Sequence, residues 1–199
     1  MSDSPPDYRT QNLAIVSPAL DNAIVMAREV IGVEITPPAL APDYPQWKGH
    51  IGASRMSYRS KLDAFQERDI IFYNAEEPIA PLLAEGCTYH ETGHAATYQL
   101  NPDYIKMEER NPRLALELGE GIGEHFEIDL LRERTRRTGD AAYARYAWRI
   151  CAAKAIKRRL PFRNAYTKGY YLVRGLRENH SLKEIVENAS AIVRNLGKL

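Results

Sequence analysis

Two cysteines, five histidines and a formal net charge of +1 leave this 199-residue chain short of several common devices. Two cysteines as far apart as Cys87 and Cys151 cannot form the dense disulfide framework of a small secreted domain. A bridge between them is permitted by composition but not demanded. A charge so near neutrality exerts no global pull on nucleic acid or an acidic membrane, so any such partner needs a local patch. No apolar run approaches the length that spans a bilayer. The N-terminus, MSDSPPDYRTQ, has neither the basic nor the apolar segment of a secretory signal. The expectation is a cytoplasmic chain with no membrane partner. Its apolar share of 44% and charged share of 27% are those of an ordinary globular protein with a proper core.

Residues 1–17 show no clear period and read as an N-terminal arm, and 18–199 read as one domain. Ser17-Pro18 predicts a helix start, with Leu20, Ile24, Ala27 and Ile31 at helical spacing and Gly32 as the stop. Val33 to Thr36 alternates and reads as a short strand ended by Pro37-Pro38, with a loop following to about Gly52. Ser54 to Arg59 and Asp69 to Tyr73 are further strand candidates. From there the pattern is helical, broken at Asn101-Pro102, Asn111-Pro112, Gly139-Asp140, Pro161 and Ser181. Asn111 and Asp140 have the chemistry of N-caps, Pro112 suits a first helical position, and Ser181 with Glu184 spells a capping box. Strands and one long helix in 18–100, then helices alone in 101–199, predict an α+β fold.

That first long helix carries HETGHAATYQL, His90 to Leu100. Residues i and i+4 lie on one helical face, so the His90 and His94 imidazoles can converge on one ion. Glu91 projects about 100° round the axis, beside such an ion rather than on it, where it can reach a water. This is the HExxH pattern of zinc hydrolases. Zinc in a catalytic site needs a third protein ligand and one open position. A histidine two turns on is ruled out, because Thr97 and Leu100 occupy those places. The remaining source is a carboxylate from another helix.

The segment LALELGEGIGEHFE supplies Glu117, Glu120, Glu124 and Glu127. Glu120 stands between Gly119 and Gly121, with Gly123 beyond. Each glycine costs a helix about 1 kcal/mol relative to alanine, which makes sense where two helices must pass closely. Glu120 and Glu124 share a face, so one can bind the metal while the other accepts a hydrogen bond from the outer nitrogen of a histidine. Glu117 and Glu127 read as a solvated face.

HETGH followed by GEGIGEHFE resembles the gluzincin zinc metallopeptidases, in which a glutamate on the next long helix completes an HExxH site. The match is nearest to the aminopeptidase branch, whose E-G-x-A-x-Y-F-E segment is similar to EGIGEHFE. The resemblance implies a zincin-like fold, one Zn2+ ion, Glu91 as general base and Glu120 as third ligand, with Glu124 as an acidic neighbour of the ligands. AYTKGYYLVRGL, from Ala165, is similar to that branch's Y-x-K-G-x-x-x-L-x-x-L stretch, which implies that Tyr166 stabilises the oxyanion. The similarity runs over roughly 53–195, yet only these three motifs are specific. The Gly-x-Met-Glu-Asn motif that holds a substrate amino terminus is missing. The His94 to Glu120 gap is longer than in that branch, which suggests a loop at Asn101 to Arg110 bordering the cleft. The implied activity is hydrolysis of peptide bonds in a peptide or protein substrate, aligned along an edge strand at Asp69 to Tyr73. The alternatives are a zinc hydrolase of a non-peptide amide or specialised small substrate, and a non-catalytic scaffold.

Lesser candidates complete the reading. His180, in the turn before the capping box, is a second candidate for contact with an oxyanion or substrate. His125 points about 100° away from Glu124 and reads as a surface or rim residue. Cys87, one turn before His90, reads as a small buried residue. The basic run from Arg132 to Arg163 reads as a solvated face, and is the only feature that would suit nucleic acid or another acidic partner.

Overall fold

The computed structural model describes residues 7–42, 57–63, 66–75, 77–158 and 164–198. Residues 1–6 of the expected arm, the loop 43–52, the start of the strand expected from Ser54, and Pro161 lie outside the described residues.

The first helix, α1 (Tyr8–Met26), begins ten residues before the expected start. Asp7 caps it by accepting a hydrogen bond from the Thr10 backbone N–H at 3.1 Å. The arm reading of 1–17 is therefore corrected for residues 8–17. Pro18, expected at the first turn, lies inside the helix. What carries the helix through it is tertiary: Asn12, Val16, Ala19, Leu20, Ala23 and Met26 form one buried stripe on both sides of the proline. Asn12 also donates to the carbonyls of Asn74 (2.8 Å) and Glu77 (2.7 Å) and accepts from the Ile79 N–H (3.2 Å). One buried amide thus pins α1 to the chain entering the HExxH helix. A π-helical turn, Ala27–Ile31, ends at Gly32 in the left-handed conformation.

Val33 to Thr36 has Val33 and Ile35 buried, but it is not a strand. Thr36 is instead bracketed by a side chain, with Gln99 accepting from its N–H at 2.8 Å and donating to its C=O at 2.9 Å. The strand comes just afterwards, β1 (Ala39–Pro42), within the expected loop. With β2 (Ser57–Asp63) and β3 (Gln66–Tyr73) it forms a three-stranded sheet in the order β1-β3-β2. β1 runs parallel to β3, with Leu40 opposite Ile71, and β2 runs antiparallel to it, with Tyr58 opposite Ile71. The strand containing Asp69 to Tyr73 is therefore central, not an edge. From Ile70 to Phe72 it is paired on both sides, which leaves no open edge there for main-chain pairing with a peptide.

The remaining elements are helical: α2 (Pro81–Leu100), α3 (Tyr104–Arg110), α4 (Pro112–Thr138), α5 (Ala141–Lys157), α6 (Ala165–Leu176), α7 (Leu182–Glu187) and α8 (Ala189–Leu196). The α+β expectation holds, with helix dominant and the small sheet packed against α1 and α2. Pro112 opens α4, and Asp140 caps α5 through the Ala142 N–H. Both halves of the Ser181–Glu184 capping box form. Asn101 to Arg110, expected as a loop, is mostly α3. Tyr104 anchors it by donating to the Ala115 carbonyl at 2.6 Å, while the buried Asn101 side chain bonds the Val186 carbonyl.

α4 is the axis of the molecule and packs on α2, α6, α5 and α3. Two close approaches set its neighbours. On α2, a Cβ at Gly93 would lie 3.0 Å from the Gly123 Cα. On α6, a Cβ at Gly169 would lie 1.9 Å from the Glu117 carbonyl oxygen, and one at Gly121 2.2 Å from that of Gly169. The glycines around Glu120 thus serve two helix contacts rather than one. The main core includes Tyr89, Leu118, Ile122, Phe126, Val173 and Ile185. A smaller cluster of Val16, Leu20, Ile71, Tyr73 and Ile79 seats the sheet on α1. Among the described residues no helix is long and apolar enough to cross a membrane.

Candidate metal centre

Ligand atoms of His90, Glu91 and His94 all lie within 4.8 Å of one another, and this group could hold a metal ion. The helical spacing of the motif produces that much locally, since His90 and His94 stand one turn apart on α2 with Nε2 atoms 3.1 Å from each other. Glu120 enters from α4, where its Oε2 is 3.2 Å from His90 Nε2 and 3.9 Å from His94 Nε2. Donors about 2.0–2.1 Å from a tetrahedral zinc stand roughly 3.3 Å from one another. The triangle of two imidazole nitrogens and one carboxylate oxygen has edges of 3.1, 3.2 and 3.9 Å, a size that could hold a metal ion. Glu91 is buried beside it.

The side chains of this group are held in place by their neighbours. Gly123 lies directly beneath the His90 ring: a Cβ there would be 2.7 Å from Nε2 and 2.8 Å from Cε1. On the other side of the ring, His90 Nδ1 faces Glu127 Oε2 at 3.7 Å. Burial would lower the His90 imidazole, but hydrogen bonds to Glu120 and Glu127 and the nearby Glu91 hold it well above its ordinary value. His94 goes the other way, to about 4, because burial and the adjacent His90 both disfavour its charge. Burial alone would raise Glu120, yet the hydrogen bond from His90 and the nearness of His94 keep it below its ordinary value. One neutral imidazole and one ionised carboxylate already match what a metal requires of its ligands.

Two assignments on α4 change. Glu127, expected on a solvated face, is buried and backs the ligand His90. Glu124, expected in that role, is bound to a cation: the Lys154 ammonium from α5 donates to its Oε1, and both side chains are buried. Glu127 lies seven residues from Glu120, within about 20° of it round the helix, so the spacing carried the signal. Glu117, also expected on a solvated face, is half-buried and pairs with Arg113 (3.1 Å) and Lys168 (3.3 Å).

His125 is the larger correction. It is buried, stacked on the Tyr170 ring at 5.0 Å with an interplanar angle of 12°. Its Nε2–H donates to the Tyr170 carbonyl at 3.2 Å and its Nδ1 accepts from Arg177 at 3.1 Å. The face pointing away from the metal is not solvent, because α6 covers it. Burial, reinforced by the surrounding arginines, brings this imidazole down to about 4.

Tyr166 does stand at the site. Asn164 caps α6 by accepting from the Thr167 N–H, which places Tyr166 in its first turn. The ring lies 6.0 Å from that of His90. Tyr170 is buried, whereas Tyr166 is 43% exposed, so core packing does not account for it. Burial and the nearby Glu120, Glu91 and Glu124 carboxylates raise its hydroxyl and keep it a proton donor. His180 is not brought in. It is exposed beyond the far end of α6, whose last residue, Leu176, lies about 15 Å along the axis from Tyr166.

Beside the ligands opens a cavity of about 350 Å³. Leu83, Cys87 and Ile150 contribute to its apolar wall, and Glu91, Lys154 and Tyr166 line it as well. No disulfide joins Cys87 and Cys151, and both are half-buried. The basic run is mostly exposed, as expected of a solvated face, and part of it is paired: Arg134 with Glu85, and Arg136 and Arg137 with Glu133. Its exception, Lys154, shares a face with Ala147, one helical heptad earlier, and that placement within an apolar stripe marks it as buried. Neither a protein-family model, nor a curated protein, nor a solved structure matches the chain, so its chemistry has to be argued from this centre itself.

Proposed function

We propose that this chain is a zinc-dependent hydrolase of gluzincin type, with a zincin-like core, that cleaves amide bonds of peptides. One observation carries the reading: His90 Nε2, His94 Nε2 and Glu120 Oε2 converge from two helices at 3.1, 3.2 and 3.9 Å, with Glu91 buried alongside. His90, His94 and Glu120 hold the ion, and Glu127 fixes the tautomer in which His90 presents Nε2.

Zinc, when bound, supplies the acidification of a water and the polarisation of a carbonyl. The chain does the rest. Glu91 accepts a proton from the attacking water and delivers it to the departing amine nitrogen. The Tyr166 hydroxyl donates a hydrogen bond to the oxygen on which negative charge develops. The apolar wall of the cavity shields the reacting groups from bulk water and strengthens both interactions.

The test is a pair of variants beside the parent protein, with zinc content and peptide hydrolysis measured together. Glu91→Gln should keep stoichiometric zinc and lose hydrolysis by several orders of magnitude. Glu120→Ala should lose zinc affinity first. Full activity in Glu91→Gln would remove the general-base assignment, and full zinc occupancy in Glu120→Ala would remove the third ligand.

A further inference from the structure

The cavity beside the ligands holds two lysines that the hydrolytic mechanism does not use. Lys154 and Lys157 come from α5, three residues apart, and both line it. An ammonium carries three N–H donors. Lys154 spends one on Glu124 and has no other acceptor among the described residues. Lys157 has no ion-pair partner among the described residues. The carboxylates around the cavity are differently placed: Glu127 faces His90, Glu124 holds Lys154, and Glu91 stands against the metal ligands. Lys154 and Lys157 therefore keep N–H donors to offer at the end of the cavity bounded by α5, where Glu124 Oε2 is itself buried without a hydrogen-bond partner.

Its distance from the reacting centre is set by Tyr166. The ring is 6.0 Å from that of His90, and the Lys154 Nζ lies 5.3 Å from the same ring. Two or three extended residues, at about 3.3–3.6 Å each, cover that path. The lining also offers apolar surface from Leu83, Cys87 and Ile150. Burying a charged lysine is costly unless it is paired, and here the pairing leaves donors over. Glu124 anchors the ammonium without consuming its capacity.

We infer that this cavity selects substrates bearing a carboxylate two or three residues from the scissile bond, gripped by Lys154 and Lys157, with an apolar residue between. The inference rests on reading the centre as an amide hydrolase, and it names the substrate class. The carboxylate can be the C-terminus of the substrate or an acidic side chain.

Binding separates these sources and also separates this inference from hydrolysis. The zinc-loaded Glu91→Gln protein is titrated calorimetrically with N-acetylated tripeptides containing leucine, as matched free acids and C-terminal amides. A second matched set carries glutamate or glutamine with the C-terminus amidated. One carboxylate form should bind at least tenfold tighter than its neutral isostere, and the responsive set identifies the source. Lys154→Met should erase that preference while zinc content stays unchanged. Because that variant leaves Glu124 buried without its cation, Lys154→Met combined with Glu124→Gln is measured beside it, and Lys154→Arg should restore part of the preference. Equal binding of acid and neutral forms, absence of binding by every acid, or a preference that survives in the double variant overturns the inference. If the acids bind in a Lys154-dependent way but the parent enzyme cleaves none of these peptides, the peptidase reading falls and the carboxylate site stands.

Discussion

Gly123 offers the sharpest test of how the centre is held. In Gly123→Ala the new methyl would lie 2.7 Å from His90 Nε2, 2.8 Å from Cε1 and 2.9 Å from Cδ2. Carbon contacts settle at about 3.5–4.0 Å, so the ring must retreat by roughly 0.8 Å or more. Metal–ligand distances tolerate only about ±0.2 Å. The ring also cannot retreat freely, since Glu127 faces its Nδ1 at 3.7 Å. Loss of a supporting contact alone costs about 10- to 100-fold in metal affinity. Displacing the ligand itself should weaken zinc binding by at least 100-fold, or roughly 2.7 kcal/mol. The fold should survive: overpacking costs about 1–3 kcal/mol, and alanine returns about 1 kcal/mol of helix propensity. Competition against a chromophoric chelator gives the zinc Kd, and thermal melting of the metal-free protein gives the stability. Gly175→Ala is the control, because a Cβ there meets nothing within 4 Å; it should leave zinc binding untouched. A Gly123→Ala protein that binds zinc within threefold of the parent would refute the view that α4 positions His90 by contact.

Three further outcomes are expected. Glu127→Ala should retain the fold but weaken zinc about 10- to 100-fold, in the same chelator assay, whereas an unchanged Kd would return Glu127 to a purely packing role. Gly169→Ala sets a methyl 1.9 Å from a backbone oxygen of α4 that cannot rotate away. Its cost should reach or exceed about 3 kcal/mol, lowering Tm by roughly 6–12 °C, and a shift under 2 °C would show the α4–α6 contact to be soft. His125, held at about 4 in the fold against about 6.5 when unfolded, makes stability depend on pH. Between those values the unfolded chain binds more protons, so this contribution is complete above about pH 6.5 and lost as pH falls toward 4, about 3 kcal/mol in all. Urea unfolding across that range should show the slope, and His125→Gln should flatten it.

What could be read without the fold was whatever depends on a few neighbouring residues. The pairing of His90 with His94, the Asp140 cap, the Ser181–Glu184 box and the stops at Leu100 and Gly139 are all set by helix geometry over one or two turns. The same local logic misled at Ser17-Pro18, where a residue suited to a helix start sits inside a helix that Asn12 and a buried stripe hold together. It misled at Val33 to Thr36, where the partner of the backbone is the Gln99 side chain and not a strand.

On α4 the local pattern could name the acids but not rank them. Glu120, Glu124 and Glu127 lie within a narrow arc of the helix, and nothing inside that arc says which faces the metal. The choice is made by how α4 is rotated and seated. Gly93 against Gly123 brings it onto α2 at the His90 ring, and Gly121 against Gly169 brings it onto α6. The first contact points Glu120 at the two imidazoles and Glu127 at the outer nitrogen of His90. The second buries His125, which a one-sided amphipathic helix would leave in water. α5 then delivers Lys154 to Glu124 from thirty residues away. The sequence by itself determined that His90, Glu91 and His94 stand together, because they share one helix. The approach of Glu120 to the two imidazoles, the placement of Glu127 behind His90 and the burial of Lys154 against Glu124 were decided only by the tertiary structure, because each depends on the rotational setting of a helix against neighbours remote in the chain.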